Sequence, residues 1–169
     1  DFEHAEMVVL VGSNTAWCHP VLYQRIMKAK EDRDVFVVVI DPRFTSTCET
    51  ADLHLPILPG QDVALFNGLL QYLVKNNYSD LDFIANYTEG LVQALEQTET
   101  EASITAVSQR TGISLEKLQQ FFEKFSQTQK VMTLFSMGVN QSSQGVDKAN
   151  SIINCHLLTG KIGKLGAAP

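Results

Sequence analysis

The chain has 169 residues, 44% of them hydrophobic and 19% charged, with a formal charge of -6. That length suffices for one well-formed core, so a single domain over residues 1–169 is expected. The acidic balance, with a pI near 5.1, argues against an extended nucleic-acid partner. No apolar run approaches the roughly 20 residues of a membrane-spanning helix, which argues against membrane insertion.

Met7 to Val11 is a short, continuous apolar run ending at Gly12, the pattern of a strand buried on both faces of a parallel sheet. The turn formers Gly12, Ser13 and Asn14 follow, and Pro20 suits the first turn of a helix with Val21, Leu22, Ile26 and Ala29 on one face. That helix is expected to end between Glu31 and Asp34. Val35 to Ile40 is the strongest strand signal, stopping at Asp41 and Pro42. A third strand is predicted over His54 to Leu58, ending at Pro59 and Gly60, and an amphipathic helix over Asp62 to Lys75.

Residues 78–127 read as several polar helical segments, of which Ser114 to Lys124 begins with a good N-cap and presents Leu115, Leu118, Phe121, Phe122 and Phe125. Val131 to Phe135 is a fourth strand, Gly138 to Gly145 a polar loop, and Val146 to Leu158 a last helix stopped by Thr159 and Gly160. Strands alternating with helices predict an α/β fold: an open, mostly parallel sheet with helices on both faces, of the dinucleotide-binding kind. Ligands of such sheets bind at the carboxyl ends of the strands. In this sequence those ends are Gly12-Ser13-Asn14, Asp41-Pro42-Arg43, Pro59-Gly60-Gln61-Asp62 and the stretch from Met137 to Gln141.

Each end has a binding reading and a purely structural one. Gly12 permits positive φ and close backbone approach, and the N–H groups before Pro20 are able to grip a diphosphate. A tight turn with no ligand explains the same residues, since no full GxGxxG is present. Asp41 stands where dinucleotide folds place an acid for ribose hydroxyls, yet its carboxylate could instead close the turn onto Thr45 or Ser46. Arg43 offers a planar donor fork for phosphate or a base, or a surface ion pair. Asp62 reads first as a helix N-cap or first-turn acid. It is also able to accept from the N1–H and N2–H₂ groups of guanine, as is Asp41.

The remaining polar residues suggest no reaction centre. His4, His19, His54 and His156 are dispersed without nucleophile or carboxylate partners and read as structural. Cys18, Cys48 and Cys155 show no ligand spacing, so neither a disulfide framework nor a metal site is expected, and a reducing, cytoplasmic compartment fits. Cys18 precedes a predicted helix start, which would lower its pKa; packing under the turn explains its position equally well. Asn86-Tyr87-Thr88 matches a glycosylation acceptor but is read as incidental. The opening DFEHAEMVVLVGSN starts a strand almost at once and reads as a segment of a longer chain.

Three blocks, GSNTAWCHPVLYQRI, VVVIDPRFTSTCETADLHLPILPGQDVALFNGLL and MGVNQSSQGVDKANSIINCHLLTGKIGKLGAAP, together resemble consecutive blocks of the molybdopterin oxidoreductases that carry two molybdopterin guanine dinucleotides (bis-MGD). The likeness spans nearly the whole chain. The last block is similar to assimilatory and periplasmic nitrate reductases, and formate dehydrogenases of the same fold resemble it less. The resemblance implies that this segment embraces one MGD. Gly12, Ser13, Asn14, Thr15 and Cys18 would lie along its phosphate and ribose region, and Asp41, Pro42, Arg43 and Thr45 would form a second contact loop. Gly60, Gln61 and Asp62 would lie near the guanosine end, and Met137 and Gln141 near the pterin. It further implies that the iron–sulfur (4Fe-4S) cysteines, the molybdenum ligand and an active-site arginine belong to the remaining domains of the parent chain. On that reading an electron-donor protein or subunit is a possible partner, and the segment alone is inert. Two alternatives of other classes are the central nucleotide-fold domain of a thiamine-diphosphate enzyme and a cofactor-free structural relative in a respiratory complex. The DPR and PGQD loops, in this order and spacing, favour the molybdopterin pattern.

Overall fold

The computed structural model describes residues 1–101 and 103–169. Four parallel strands form one sheet in the order β3-β2-β1-β4, with β1 at Met7–Val11, β2 at Phe36–Ile40, β3 at Leu53–Leu55 and β4 at Val131–Phe135. All five residues of β1 are buried because the strand is central and covered on both faces. Met7, Val9 and Val11 face one core with Val38 and Ile40 of β2. Val8 and Leu10 face the other with Val37 and Val39. That two-sided burial is why the run is continuously apolar rather than alternating.

Helix α1 (Thr15–Cys18) is a single turn, and α2 (Pro20–Arg33) follows with Pro20 at its start. Helix α2 ends as expected, at Asp34 in the left-handed conformation (φ 58°), whose N–H returns to Lys30 O. Ile26 and Ala29 of α2 cover the Val8/Leu10 face, while Val21 is exposed. The opposite face is covered by α3 (Asp62–Lys75), α6 (Ile104–Thr111), α7 (Leu115–Gln127) and α9 (Gly145–Leu158). Two shorter helices, α4 (Leu81–Tyr87) and α5 (Leu91–Gln97), lie between α3 and α6 in the chain. Helices therefore cover both faces, as the alternating pattern predicts. Ser114 caps α7 by accepting from Lys117 N at 3.4 Å. Phe121, Phe122 and Phe125 of its buried face make edge-on and tilted ring contacts, whereas Leu115 is exposed.

Three expectations need correction. The third strand is Leu53–Leu55, not His54–Leu58: Pro56 has no N–H to continue the ladder, and Leu58 N donates instead to Thr111 O at 2.8 Å. The stretch after β4 is not all loop, since Met137–Asn140 forms α8, a single turn closed by Gln141 N on Met137 O at 3.2 Å. Cys18 does precede the start of α2, but it ends the single turn α1 and is exposed rather than packed beneath the turn.

The C-terminal tail covers the open edge of β4. Thr133 N donates to Ala168 O at 2.9 Å and Ala168 N to Val131 O at 3.1 Å, which pairs an edge that would otherwise be exposed. The tail is anchored by Lys161, whose buried Nζ donates to Phe125 O at 2.5 Å and sits over the Phe125 ring, 4.6 Å from its centroid. Burial holds the Lys161 ammonium down to about 8. His156 is fully buried between Thr133 Oγ1 and Lys161 O, each at 2.8 Å, which agrees with a structural histidine. No helix among the described residues is long and apolar enough to cross a membrane.

Candidate functional site

Strand order reverses between β1 and β4. Helix α2, which follows β1, packs on one face, whereas the connection into β4 runs over the other. Such a switch point opens a crevice at the carboxyl ends of the strands, because the flanking loops diverge to opposite faces. Here it is a cavity of about 680 Å³ lined by all four strand ends.

The loop after β1 is held by its neighbours. Gly12 has φ +55° and donates to Ile40 O at 2.9 Å, and Gly138 N donates to Gly12 O at 3.0 Å. A Cβ on Gly12 would lie 2.9 Å from Gly138 Cα, so the close approach the glycine permits is to a second glycine of the protein itself. Ser13 and Thr15 are buried with their hydroxyls 2.8 Å apart, and they stabilise the turn from beneath. Asn14 Oδ1 accepts from Thr47 Oγ1 at 2.9 Å, and Ala16 N donates to the same hydroxyl at 3.1 Å. No hydrogen bond among the described residues uses the Asn14 side-chain amide or the backbone N–H groups of Ser13, Asn14 and Thr15.

The loop after β2 closes on itself. Asp41 Oδ1 accepts from Arg43 N at 2.9 Å, so the turn is closed through the backbone of Arg43 rather than through Thr45 or Ser46. His54 Nε2 donates to Asp41 O at 2.9 Å, and Phe44 packs edge-on against the His54 ring. The buried Cys48 thiol accepts from Thr45 N at 3.4 Å and donates to Arg43 O at 3.7 Å, which pins the loop from inside. Arg43 Nε lies 3.8 Å from Asp41 Oδ1, and its side chain is 74% exposed, so the guanidinium is open to a ligand.

Gly60, at φ +82°, has nothing within 4 Å of the Cβ position, so the backbone is bare at the cavity mouth. Gln61 is the N-cap position of α3 and Asp62 its first residue. Asp62 is bound across the cavity floor to Lys148 of α9, with Nζ to Oδ2 at 2.8 Å and both side chains nearly buried. Lys148 Nζ also donates to Gly138 O at 3.3 Å.

Of the residues singled out from the sequence, Gly12, Asn14, Cys18, Asp41, Pro42, Arg43, Gly60, Asp62 and Met137 line this one cavity. Ser13 and Thr15 support it from below, and Thr45 belongs to the pinned turn behind it. Gln61 instead lines an adjoining polar groove with Asn67, Gln144 and Asp147. Gln141 is exposed at the end of α8, outside the cavity lining. The structure adds Trp17, Ile40, Ile57, Gly138 and Lys148. Lys148 carried a legible signal: it falls on the buried stripe of α9 with Gly145, Ser151, Ile152 and Cys155, where a lysine needs a partner. Among the described residues no three His, Cys, Asp or Glu side chains come together to hold a metal ion.

The cavity lining combines hydrogen-bond donors, acceptors and an apolar wall. It offers the Arg43 guanidinium, unspent backbone and Asn14 amide donors, two buried carboxylates, one buried ammonium, and the apolar surfaces of Trp17, Ile57 and Met137. A diphosphate needs the donors, sugar and base need the acceptors, and flat rings need the apolar wall.

Comparison with known proteins gives the same direction. The profile of the family described as molybdopterin oxidoreductase matches residues 1–169. A nitrate reductase of Shewanella frigidimarina is 46% identical over 98% of this chain, and one of Klebsiella oxytoca is 42% identical over all of it. The alpha subunit of an F420-dependent formate dehydrogenase of Methanocaldococcus jannaschii is 35% identical over 98% of the chain. The chain spans only 18%, 19% and 24% of the length of these relatives. Acetylene hydratase from Pelobacter acetylenicus superposes with a TM-score of 0.85 over 96% of this chain and 22% of its own, at 20% identity, which speaks for the fold alone. These matches replace the thiamine-diphosphate alternative: the chain, with its four-stranded parallel sheet, belongs to the molybdopterin oxidoreductase family.

Proposed function

We propose that the switch-point cavity holds the guanosine diphosphate end and adjoining pterin of one molybdopterin guanine dinucleotide, as part of a cytoplasmic molybdenum nitrate reductase that converts nitrate to nitrite. The observation that carries this reading is the convergence of Gly12, Asn14, Asp41, Arg43, Gly60 and Asp62, from three different loops, on one cavity of about 680 Å³. That volume lies within the roughly 300–1,000 Å³ typical of small-molecule sites. The relatives of 46% and 42% identity support nitrate over formate as the substrate of the parent enzyme.

When bound, the cofactor supplies the oxygen-atom and electron transfer; the residues of this chain position it. Arg43 and the open N–H groups of the β1 loop neutralise the diphosphate, and Asp41 and Asp62 accept from ribose and base. Trp17, Ile57 and Met137 exclude water from the ring faces. The second MGD, the 4Fe-4S cluster, the molybdenum ligand and the contacts with an electron donor belong to the rest of the parent protein, and the 169-residue chain alone is catalytically inert.

Calorimetric titration of the chain with GDP and with ADP tests the reading. GDP is expected to bind at least about tenfold more tightly, a preference that Asp62→Ala abolishes, since one well-placed base contact is worth about 1–3 kcal/mol. Equal affinities overturn the guanine assignment. No binding of either nucleotide favours the cofactor-free relative.

A further inference from the structure

The buried pair at the cavity floor contains more than an acid waiting for a ligand. Asp62 already holds Lys148, with Nζ to Oδ2 at 2.8 Å, and both residues line the cavity. The Lys148 ammonium donates to Asp62 and, at 3.3 Å, to Gly138 O, which leaves one N–H beyond those two bonds. The carboxylate likewise has an oxygen, Oδ1, that the ion pair does not use. A donor and an acceptor thus sit side by side on one wall.

A base edge that meets both must present an acceptor next to a donor. Guanine does so with O6 beside N1–H, and its N2–H₂ continues the donor run along the same edge. Adenine held in the same orientation presents the reverse order, an amino donor at position 6 beside a ring acceptor, and would set its amino group against the ammonium. We infer that Lys148 is a specificity-determining residue of this site, donating to O6 of a 6-oxopurine nucleotide while Asp62 accepts from the neighbouring N1–H. The inference rests on the proposed guanine dinucleotide site, and assigns to Lys148 the half of base recognition that a carboxylate cannot perform. Because Asp62 is tied to Lys148, the acid is held where the base must meet both groups.

The test changes one atom of the base and one side chain of the protein. Dissociation constants of GDP and 6-thioguanosine diphosphate are measured for the wild-type chain and for Lys148→Met; the thio nucleotide keeps N1–H and N2–H₂ and replaces only O6 with a poor acceptor. The wild type is expected to prefer GDP by about tenfold, the scale of a hydrogen bond to a charged group. In Lys148→Met that preference collapses to within about twofold, because GDP weakens and the thio nucleotide does not. If Lys148→Met fails to fold, the double variant Asp62→Asn/Lys148→Met, which leaves no unpaired charge, is read in the same way. A variant that weakens both nucleotides by the same factor and keeps the wild-type preference shows a lysine that only supports the fold, and overturns the inference while leaving the guanine site standing. A wild-type chain that binds no GDP overturns the site itself, and the role of Lys148 with it.

Discussion

Gly12 and Gly138 touch through their backbones: Gly138 N donates to Gly12 O at 3.0 Å, and a Cβ on either residue would come within 3.0 Å of the other's main chain. This contact joins the loops after β1 and β4, the two strands that flank the switch point, and so sets the width of the crevice. Gly12→Ala is expected to cost about 2–3 kcal/mol, because it adds left-handed strain to the clash. Gly138→Ala, which has no positive φ to strain, is expected to cost about 1–2 kcal/mol. Urea denaturation followed by circular dichroism ranks the two, and a Gly12 variant as stable as the wild type would contradict the contact.

The Asp62–Lys148 pair stabilises the fold as well as the site. Removing one partner leaves a buried charge uncompensated, so Asp62→Ala and Lys148→Met are each expected to lose about 3–5 kcal/mol. The double variant should lose less than the sum of the two, since the second substitution removes the charge that the first one stranded. Additive losses in a double-mutant cycle would mean that the two side chains do not interact.

His156 makes stability depend on pH. Burial is the main cause that lowers its pKa from 6.5 to about 4, with the nearby Lys161 charge acting in the same direction against the hydrogen bond to Lys161 O. The folded state therefore holds the ring neutral. The stabilisation is complete above pH 6.5 and is lost as pH falls toward 4, amounting to about 3 kcal/mol over that window. The advantage of the wild type over His156→Gln should shrink across that range in urea melts at successive pH values; a constant gap would show that His156 is not buried neutral.

The three thiols are predicted to differ sharply in reactivity. Cys18 is exposed at the cavity wall, Cys48 is buried behind the β2 loop, and burial pushes the Cys155 thiol upward while its Sγ donates to Phe66 O at 3.2 Å. Iodoacetamide on the native chain should give a single adduct, at Cys18, by mass spectrometry, and GDP should slow it severalfold. Labelling of Cys155 before Cys18 would contradict the fold.

The sequence was most legible where a single force decides the structure. The run Met7–Val11 is a strand to the residue because burial on both faces tolerates no polar side chain inside it, and Val131–Phe135 is legible too although its one polar residue, Thr133, is buried against His156. Strand β3 is shorter than the pattern predicts, because the apolar stretch continues through Ile57 and Leu58 while Pro56 breaks the ladder that the stretch implies. The strand ends were legible as a site because α/β topology gathers them whatever their individual roles. The partnerships inside the site were not legible: which atom closes the Asp41 turn, which glycine faces Gly12, and which cation meets Asp62 depend on contacts between residues far apart in sequence. Lys148 shows the difficulty plainly: its place on the stripe of α9 with Ile152 and Cys155 signals that it needs a partner, but nothing local says that the partner is Asp62.

The central claim, that the crevice binds a guanosine diphosphate moiety, is tested most directly by titrating GDP, and separately ADP, into isotope-labelled chain and following the backbone amide resonances. The account predicts GDP-selective shifts confined to Gly12 through Cys18, Asp41 through Arg43, Gly60 through Asp62, and Met137 and Gly138, with helix α4, which lines neither the cavity nor the adjoining groove, unmoved. Equal shifts with ADP, shifts centred on other surfaces, or no response to either nucleotide would contradict it.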